Sequence, residues 1–536
     1  MGSLGTTSKG KGKERMVEPE MIISPGSGIG SSGEAREGGE QDQEWEVKPY
    51  KIHVSSKYLT LTHKKLELTR LPHELLVPKE REREYGVPKS EIEPLIDFWT
   101  ETYSWREQEA YLNIRVPQFR VALPLPASSS PPLRVHFVHL KSQHSNSVPL
   151  LVVPSFPVTN LSLTQIFEPL TNPPNPRSEQ PFHIVVPSIP GLGFSDPFSV
   201  PEAEKDVMRH TAGLFDALMN RLGYEFYLVT ATGSGISSAA AVDYHLPRII
   251  AETFPERCLG AHLLDPVAEV PRVAKEPVLW AKWNVAKFFH ANAFGYTGED
   301  WKALKTYEAK ARAAKSTNGA DRLPSKRRRE VKGYGVMSAL GLREPNTLSY
   351  ALCDSPVGLL SVVCSTLRKR SPSHQLSDTQ IIDLTQLAWL PGVEAGARFW
   401  STAVKEAANE VKKSASRTRV AITVFGVDGL DSRGYLCPAW TFNRHDVVFT
   451  QRIPGKPGLV PFERIDVVVA GIRGLAMEIK RFDPRIVVSP LEEAVVPKTV
   501  HEVATPDEDG HGMQLEVESP DTVVAFETTR SSRGRP

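Results

Sequence analysis

The residues best spaced for chemistry are Ala231-Thr232-Gly233-Ser234-Gly235. Their small-x-nucleophile-x-small form is that of an elbow, a strained strand-to-helix turn that packs so tightly that bulk two residues either side would clash. A nucleophile at its centre could form a covalent ester with a bound substrate. The centre here is Gly233, which has no side chain. Ser234 stands one residue on, but moving the elbow to it would put Thr232 and Ile236 at the small flanks. It reads better as a serine near the start of the next helix.

Other candidate groups are scattered. His445 and Asp446 are adjacent at a strand start, where neighbours point to opposite faces, so they do not serve one site. His262, inside Ala261-His262-Leu263-Leu264, reads as a hydrogen-bonded core histidine, and His511 falls in a polar tail. Lys326-Arg327-Arg328-Arg329 reads as a solvated loop rather than a nuclear signal or anion patch. The four cysteines, Cys258, Cys353, Cys364 and Cys437, form no CxxC pair, which points to free thiols in a reducing compartment rather than to disulfides or a metal site.

An elbow needs a strand leading in and a helix leading out. The apolar run His183-Ile184-Val185-Val186 predicts a strand, ended by the Pro- and Gly-rich loop 187–195. An amphipathic helix over about 205–222, a second strand over 224–230, the elbow, and Ala/Ser-rich helical sequence through residue 243 follow. Strand, helix, strand, turn, helix is the unit of a parallel sheet. Further strands are expected at 133–140, 148–153, 420–425 and 446–449, and a closing helix at 462–479.

Residues 49–119 read as charged and mostly helical, with Trp99, Tyr103 and Trp105 as packing residues, and 270–413 read as a helical insertion. With 536 residues, 40% of them apolar, the chain can bury a large core or two smaller ones. A net charge of +1 gives no broad electrostatic reason for a nucleic acid or anionic membrane partner. Residues 1–46 and 499–536 are too poor in apolar side chains to order themselves. No long apolar span is visible, so neither a signal peptide nor a membrane anchor is expected. Met1-Gly2-Ser3-Leu4-Gly5-Thr6 fits the short myristoylation pattern, but a polar tail matching by chance is the better reading.

Several blocks resemble the microsomal-type epoxide hydrolases. They begin with Lys48-Pro49-Tyr50-Lys51-Ile52-His53-Val54 and Leu68-Thr69-Arg70-Leu71-Pro72, and continue at Phe98-Trp99, Tyr103, Trp105-Arg106, Glu109 and Leu112-Asn113. They resume at Pro117-Gln118-Phe119, His136-Phe137-Val138-His139, Pro187-Ser188-Ile189-Pro190-Gly191-Leu192-Gly193-Phe194-Ser195 and Leu222-Gly223-Tyr224. The clearest block runs from Pro345-Asn346-Thr347-Leu348-Ser349-Tyr350 through Asp354-Ser355-Pro356-Val357-Gly358. All stand in family order.

The resemblance implies an α/β fold: an α/β-hydrolase core with a mostly parallel sheet, a helical cap insertion and an N-terminal helical region. The implied divisions are an N-terminal tail (1–46), the family's N-terminal region (47–132), core (133–270), cap (271–417), core (418–498) and a C-terminal tail (499–536). Family members open an epoxide with an aspartate, then hydrolyse the ester with a water activated by a His and an acid, while two cap tyrosines bind the epoxide oxygen. By position the aspartate is replaced by Gly233, the His by Gly458 before Leu459-Val460-Pro461-Phe462-Glu463, and the acid by Trp440 after Cys437-Pro438-Ala439. Asp428 or Asp431 could substitute for that acid. Tyr334 resembles the first tyrosine, and Trp400 stands near the second, where its indole could donate a hydrogen bond but no proton. The oxyanion stretch falls on Pro154-Ser155-Phe156-Pro157, which with Trp400 makes Phe156 and Pro157 candidate substrate contacts.

Two functions fit. One is a non-hydrolytic protein that keeps the pocket and holds an apolar small molecule, such as an epoxide. The other is an enzyme that hydrates or cyclises an epoxide of specialised metabolism, with Tyr334 as acid and Ser234 and Asp431 as further catalytic candidates. Neither calls for a cofactor or metal, and a cytoplasmic location is expected.

Overall fold

Short apolar runs become most of the inner strands, while the first two strands, at one edge, are more polar. In chain order the strands are β1 (Lys48–Pro49), β2 (Gln118–Leu123), β3 (Leu133–Leu140), β4 (Val148–Val153), β5 (Phe182–Pro187), β6 (Tyr227–Ala231), β7 (Cys258–Leu264), β8 (Thr418–Phe425) and β9 (His445–Ile453). The computed structural model describes residues 46–125, 130–154, 158–234, 241–317, 344–371, 376–409, 418–426 and 435–486. The expected tails, residue 46 apart, lie outside these.

The strands form one sheet in the order β1-β2-β3-β5-β4-β6-β7-β8-β9. The pairs β1–β2, β2–β3 and β3–β5 are antiparallel, and every pair from β5–β4 to β8–β9 is parallel. Every residue of β4, β6 and β7 is buried, as parallel strands covered by helices on both faces require. The helices Val207–Arg221 and Val242–Thr253 cross over between strands on one side. The helix Ile465–Phe482 covers the other side, where its Val468, Ile472, Leu475 and Ile479 join the core of β4 and β5. Its Gly471 is placed by contact, since a methyl there would overlap the His262 ring of β7.

Several expected bounds move. The second strand begins at Tyr227 rather than Tyr224, because the preceding helix closes with a left-handed Gly223. Two backbone bonds, Tyr224 N–H to the Met219 carbonyl and Gly223 N–H to the Asn220 carbonyl, hold that closure and keep Tyr224 out of the ladder. The closing helix is two, Val460–Glu463 and Ile465–Phe482, broken at Arg464. Gln118–Leu123, placed by the sequence at the end of a helical region, is a strand paired along its whole length with β3. The boundary expected after residue 132 therefore falls between hydrogen-bonded strands.

Between β7 and β8 the described elements are helices: Pro277–Phe289, Gly298–Thr317, Pro345–Asp354, Pro356–Arg370, Asp378–Trp389 and Glu394–Asn409. Buried polar contacts tie this insertion to the sheet. Fully buried Asp300 accepts hydrogen bonds from Tyr435 (2.6 Å) and from Nε and Nη2 of Arg452 on β9 (3.0 and 2.9 Å). Glu406 accepts from the first N–H groups of the Val207–Arg221 helix, at 2.8 and 3.3 Å, where the helix dipole favours a carboxylate.

The N-terminal segment grips the insertion from outside. Tyr103 donates to Asp383 (2.7 Å) and the Trp389 indole donates to Thr62 (2.9 Å), while Lys65 pairs with Asp354 and Arg368 with Glu91. Trp99 and Trp105 are buried, as packing residues should be.

Two predictions follow from this packing. Gly471→Ala should cost about 1–3 kcal/mol in chemical denaturation, the usual penalty of overfilling a close contact; an unchanged midpoint would mean that the helix has room to move off His262. Burial raises the Asp383 carboxyl from 3.8 to about 6, against the lowering effect of the Tyr103 bond. A carboxyl raised on folding contributes stability while protonated and loses it as pH climbs. Stability should therefore fall between about pH 4 and pH 6 by this group's share, and Asp383→Asn should flatten that part of the profile. A profile identical in the two proteins would contradict it.

Candidate functional site

Parallel strands present their C-terminal ends, and the loops that follow them, at one edge of the sheet, where ligands of open α/β sheets bind. Here that edge carries the ends of β4, β6, β7 and β8. The turn after β6 is pinned to β4, since both the N–H and the hydroxyl of Thr232 donate to the Val153 carbonyl, at 3.1 and 3.3 Å. Gly233 follows. Ser234 is buried, and its hydroxyl donates to Oδ2 of Asp265 at 2.9 Å.

Asp265 is the first residue beyond β7 and is itself buried. Its other oxygen accepts the Phe425 N–H of β8 (3.0 Å), and its own N–H donates to the Thr423 carbonyl (2.8 Å). One carboxylate thus joins the elbow, β7 and β8. Its φ of 42° is left-handed, a conformation that Asp tolerates better than most residues. The sequence reading missed this residue. An Asp that ends the mostly apolar run Cys258–Leu264 and precedes Pro266 was the available signal.

At Gly458 the backbone is left-handed, with φ 63°, and a β-carbon would overlap the carboxylate of Glu463. That carboxylate accepts the Leu459 N–H at 2.5 Å. The place assigned to the base is therefore filled by an acid reaching back from the next turn. Trp440 lies in the short turn Pro438–Thr441, edge-on to Trp283 at 5.5 Å. Trp283 in turn packs on Tyr296 and Trp301, so this position is part of an aromatic core. Trp400 is buried on the helix Glu394–Asn409, edge-on to Phe399 at 5.3 Å. Phe399 lines a cleft of about 390 Å³ with Phe198, Val200, Val207, Arg398 and Lys405.

Tyr334, Asp428, Asp431, Phe156, Pro157, His511 and the run Lys326 to Arg329 lie outside the described residues. Of the sequence candidates, Gly233 and Ser234 share the elbow, while Gly458, Trp440 and Trp400 stand on three other segments.

The two imidazoles weighed in the sequence, His262 and His445, are structural. His262 bonds the hydroxyls of Thr230 (3.1 Å) and Thr423 (2.9 Å), and burial lowers it to about 3. His445 meets the Tyr244 hydroxyl at 3.2 Å and is likewise lowered by burial to about 3, while Asp446 beside it is exposed. At neutral pH both rings are uncharged.

Residues 47–163 match the family described as epoxide hydrolase N terminus. Beyond that region the chain is similar to proteins named epoxide hydrolases. It is 28% identical over 371 residues to a putative epoxide hydrolase of Stigmatella aurantiaca, covering 67% of this chain and 70% of that one. To epoxide hydrolase 1 of Sus scrofa it is 24% identical over 448 residues, covering 80% and 88%.

Among solved structures, juvenile hormone epoxide hydrolase from the silkworm Bombyx mori superposes with a TM-score of 0.62 at 19% identity, covering 83% of this chain and 97% of that one. Aspergillus niger epoxide hydrolase gives 0.60 at 17%, covering 81% and 97%. The fold is thus the α/β-hydrolase fold of the epoxide hydrolases, as the sequence blocks implied.

Within that epoxide-hydrolase frame the Ser234–Asp265 bond is a clear target. Asp265→Ala should cost about 1–3 kcal/mol, because it leaves the buried Phe425 N–H without its acceptor. Asp265→Asn, which keeps an acceptor oxygen, should cost less. Equal losses in urea denaturation would show that the charge rather than the hydrogen bonds matters.

Proposed function

We propose that this protein binds an apolar small molecule, an epoxide or a close analogue, between its core and its helical insertion acting as a cap, without hydrolysing it through a covalent ester. Gly233 carries the reading: at the centre of the elbow there is no side-chain atom to attack the epoxide carbon. The left-handed backbone at Gly458, with the Glu463 carboxylate lying against it, and the aromatic packing of Trp440 support it. In a worked nucleophile-and-base system, loss of the catalytic residues costs roughly a million-fold. Binding and oxyanion contacts alone leave roughly a thousand-fold over water, too little for a useful hydrolase. All four cysteines are free, which supports a reducing, cytoplasmic setting.

A second reading rests on the Ser234–Asp265 pair. A hydroxyl donating to a buried carboxylate is the start of a proton path, and with Tyr334 as acid it could serve an epoxide-opening step.

The test is turnover and binding of a panel of apolar epoxides by the full-length protein. The binding reading expects no diol, together with stabilisation of about 2.7 kcal/mol by a true ligand at a hundred times its dissociation constant. A variant carrying Gly233→Asp, Gly458→His, Glu463→Ala and Trp440→Glu should gain measurable diol formation. Diol from the unaltered protein that disappears in Tyr334→Phe or Ser234→Ala would overturn the binding reading in favour of the second.

A further inference from the structure

The helix Pro277–Phe289 has two apolar faces. Leu279, Trp283 and Ala286 point inward and are buried, with Trp283 in the aromatic core. Val278, Val285, Phe288 and Phe289 recur at helical spacing on the opposite side and are open to solvent, Val278 at 68%, Phe288 at 80% and Phe289 at 70% exposure. Trp280 is also exposed, and so is Phe294 just beyond the helix. The Lys282 ammonium sits 5.9 Å from the Phe294 ring centroid, which draws that ring to the helix's flank. Exposed large apolar side chains gathered on one element mark an interaction surface, whereas the same residues scattered singly would mean nothing.

Charge selects the occupant. The helix itself carries Lys282 and Lys287 but no Asp or Glu, with Glu276 just before it and Glu299 after the turn that follows. Glu308, from the next helix, lies 3.6 Å from Lys287 and offsets part of that charge. A second copy docking face to face would set lysines against lysines. An anionic bilayer surface would accept the aromatic and aliphatic side chains below the headgroups and the ammonium groups among the phosphates. The helix has 13 residues, and among the described residues no single helix is long and apolar enough to cross a membrane. It would therefore lie on the surface.

We propose that the outward face of Pro277–Phe289, with Phe294 and Lys282, is a docking surface for anionic lipid membranes. It is independent of any chemistry at the elbow. Such docking would set the protein where apolar ligands accumulate.

The test is sedimentation of the full-length protein with vesicles of phosphatidylcholine alone and of phosphatidylcholine mixed with phosphatidylserine. The expected result is binding to the mixed vesicles, much weaker binding to the neutral ones, and loss of the difference at high salt. Phe288→Ser with Phe289→Ser should weaken binding about tenfold or more, from the apolar area withdrawn from the bilayer. Lys282→Glu should weaken it only for the anionic vesicles. Brominated acyl chains should quench tryptophan emission of the unaltered protein, and less so in Trp280→Phe. These side chains are exposed, so each variant should keep the unaltered circular dichroism and thermal midpoint. Failure to bind either vesicle, or equal binding by the phenylalanine variant, overturns the proposal. A dimer that the phenylalanine variant dissociates, with no vesicle binding, also overturns it and assigns the face to a second copy.

Discussion

A parallel sheet buried on both faces cannot stand alone, and this constraint shapes the rest of the molecule. β4, β6 and β7 have no exposed residue, so helices must cover both sides of the sheet. Parallel neighbours must also be joined by crossovers rather than hairpins, which sends each loop after a strand to the same edge. Thr232, Ser234 and Asp265 meet there because the topology leaves them nowhere else to go. Asp265 then works as a cross-tie, its carboxylate and N–H serving the elbow and β8 at once.

The helical insertion is held by charges that would be costly if unpaired. Asp300 has no solvent contact, yet it accepts from Arg452, Tyr435 and the Thr297 N–H, which together replace the water it lost. Its bonds join a helix of the insertion to the last strand of the sheet, while Glu406 joins another to a crossover helix. Tyr103 and Asp383 close the assembly from the N-terminal side. Apart from the local Thr297 bond, each contact spans segments far apart in sequence, so the insertion, the sheet and the N-terminal segment constrain one another.

Much of this was legible in the sequence. Apolar runs such as Val148–Val153 and the elbow's small flanks predicted the strands and the turn, and the family blocks predicted the fold. The strand Gln118–Leu123 was not legible, because Gln118 and Arg120 interrupt its apolar residues and its identity comes from pairing with β3. Asp265 was hidden for a related reason: its role depends on the distant elbow and β8 reaching the same point. Sequence spacing could say that Gly233 and Gly458 lack reactive groups. It could not say that Glu463 occupies the space beside Gly458, or that Trp440 is part of an aromatic stack.

That occupation bears on how the chain could change. A lone exchange of Gly458 for histidine would meet a left-handed backbone that side-chain-bearing residues rarely adopt and would have to push the Glu463 carboxylate aside, so it would be harmful by itself. Glu463 would have to swing away, at the loss of the bond that it accepts from the Leu459 N–H. The two positions are therefore coupled, since the residue at 463 sets the cost of any side chain at 458. A side chain gained at this turn must displace a carboxylate that already holds the backbone, so the turn resists acquiring a reactive group there.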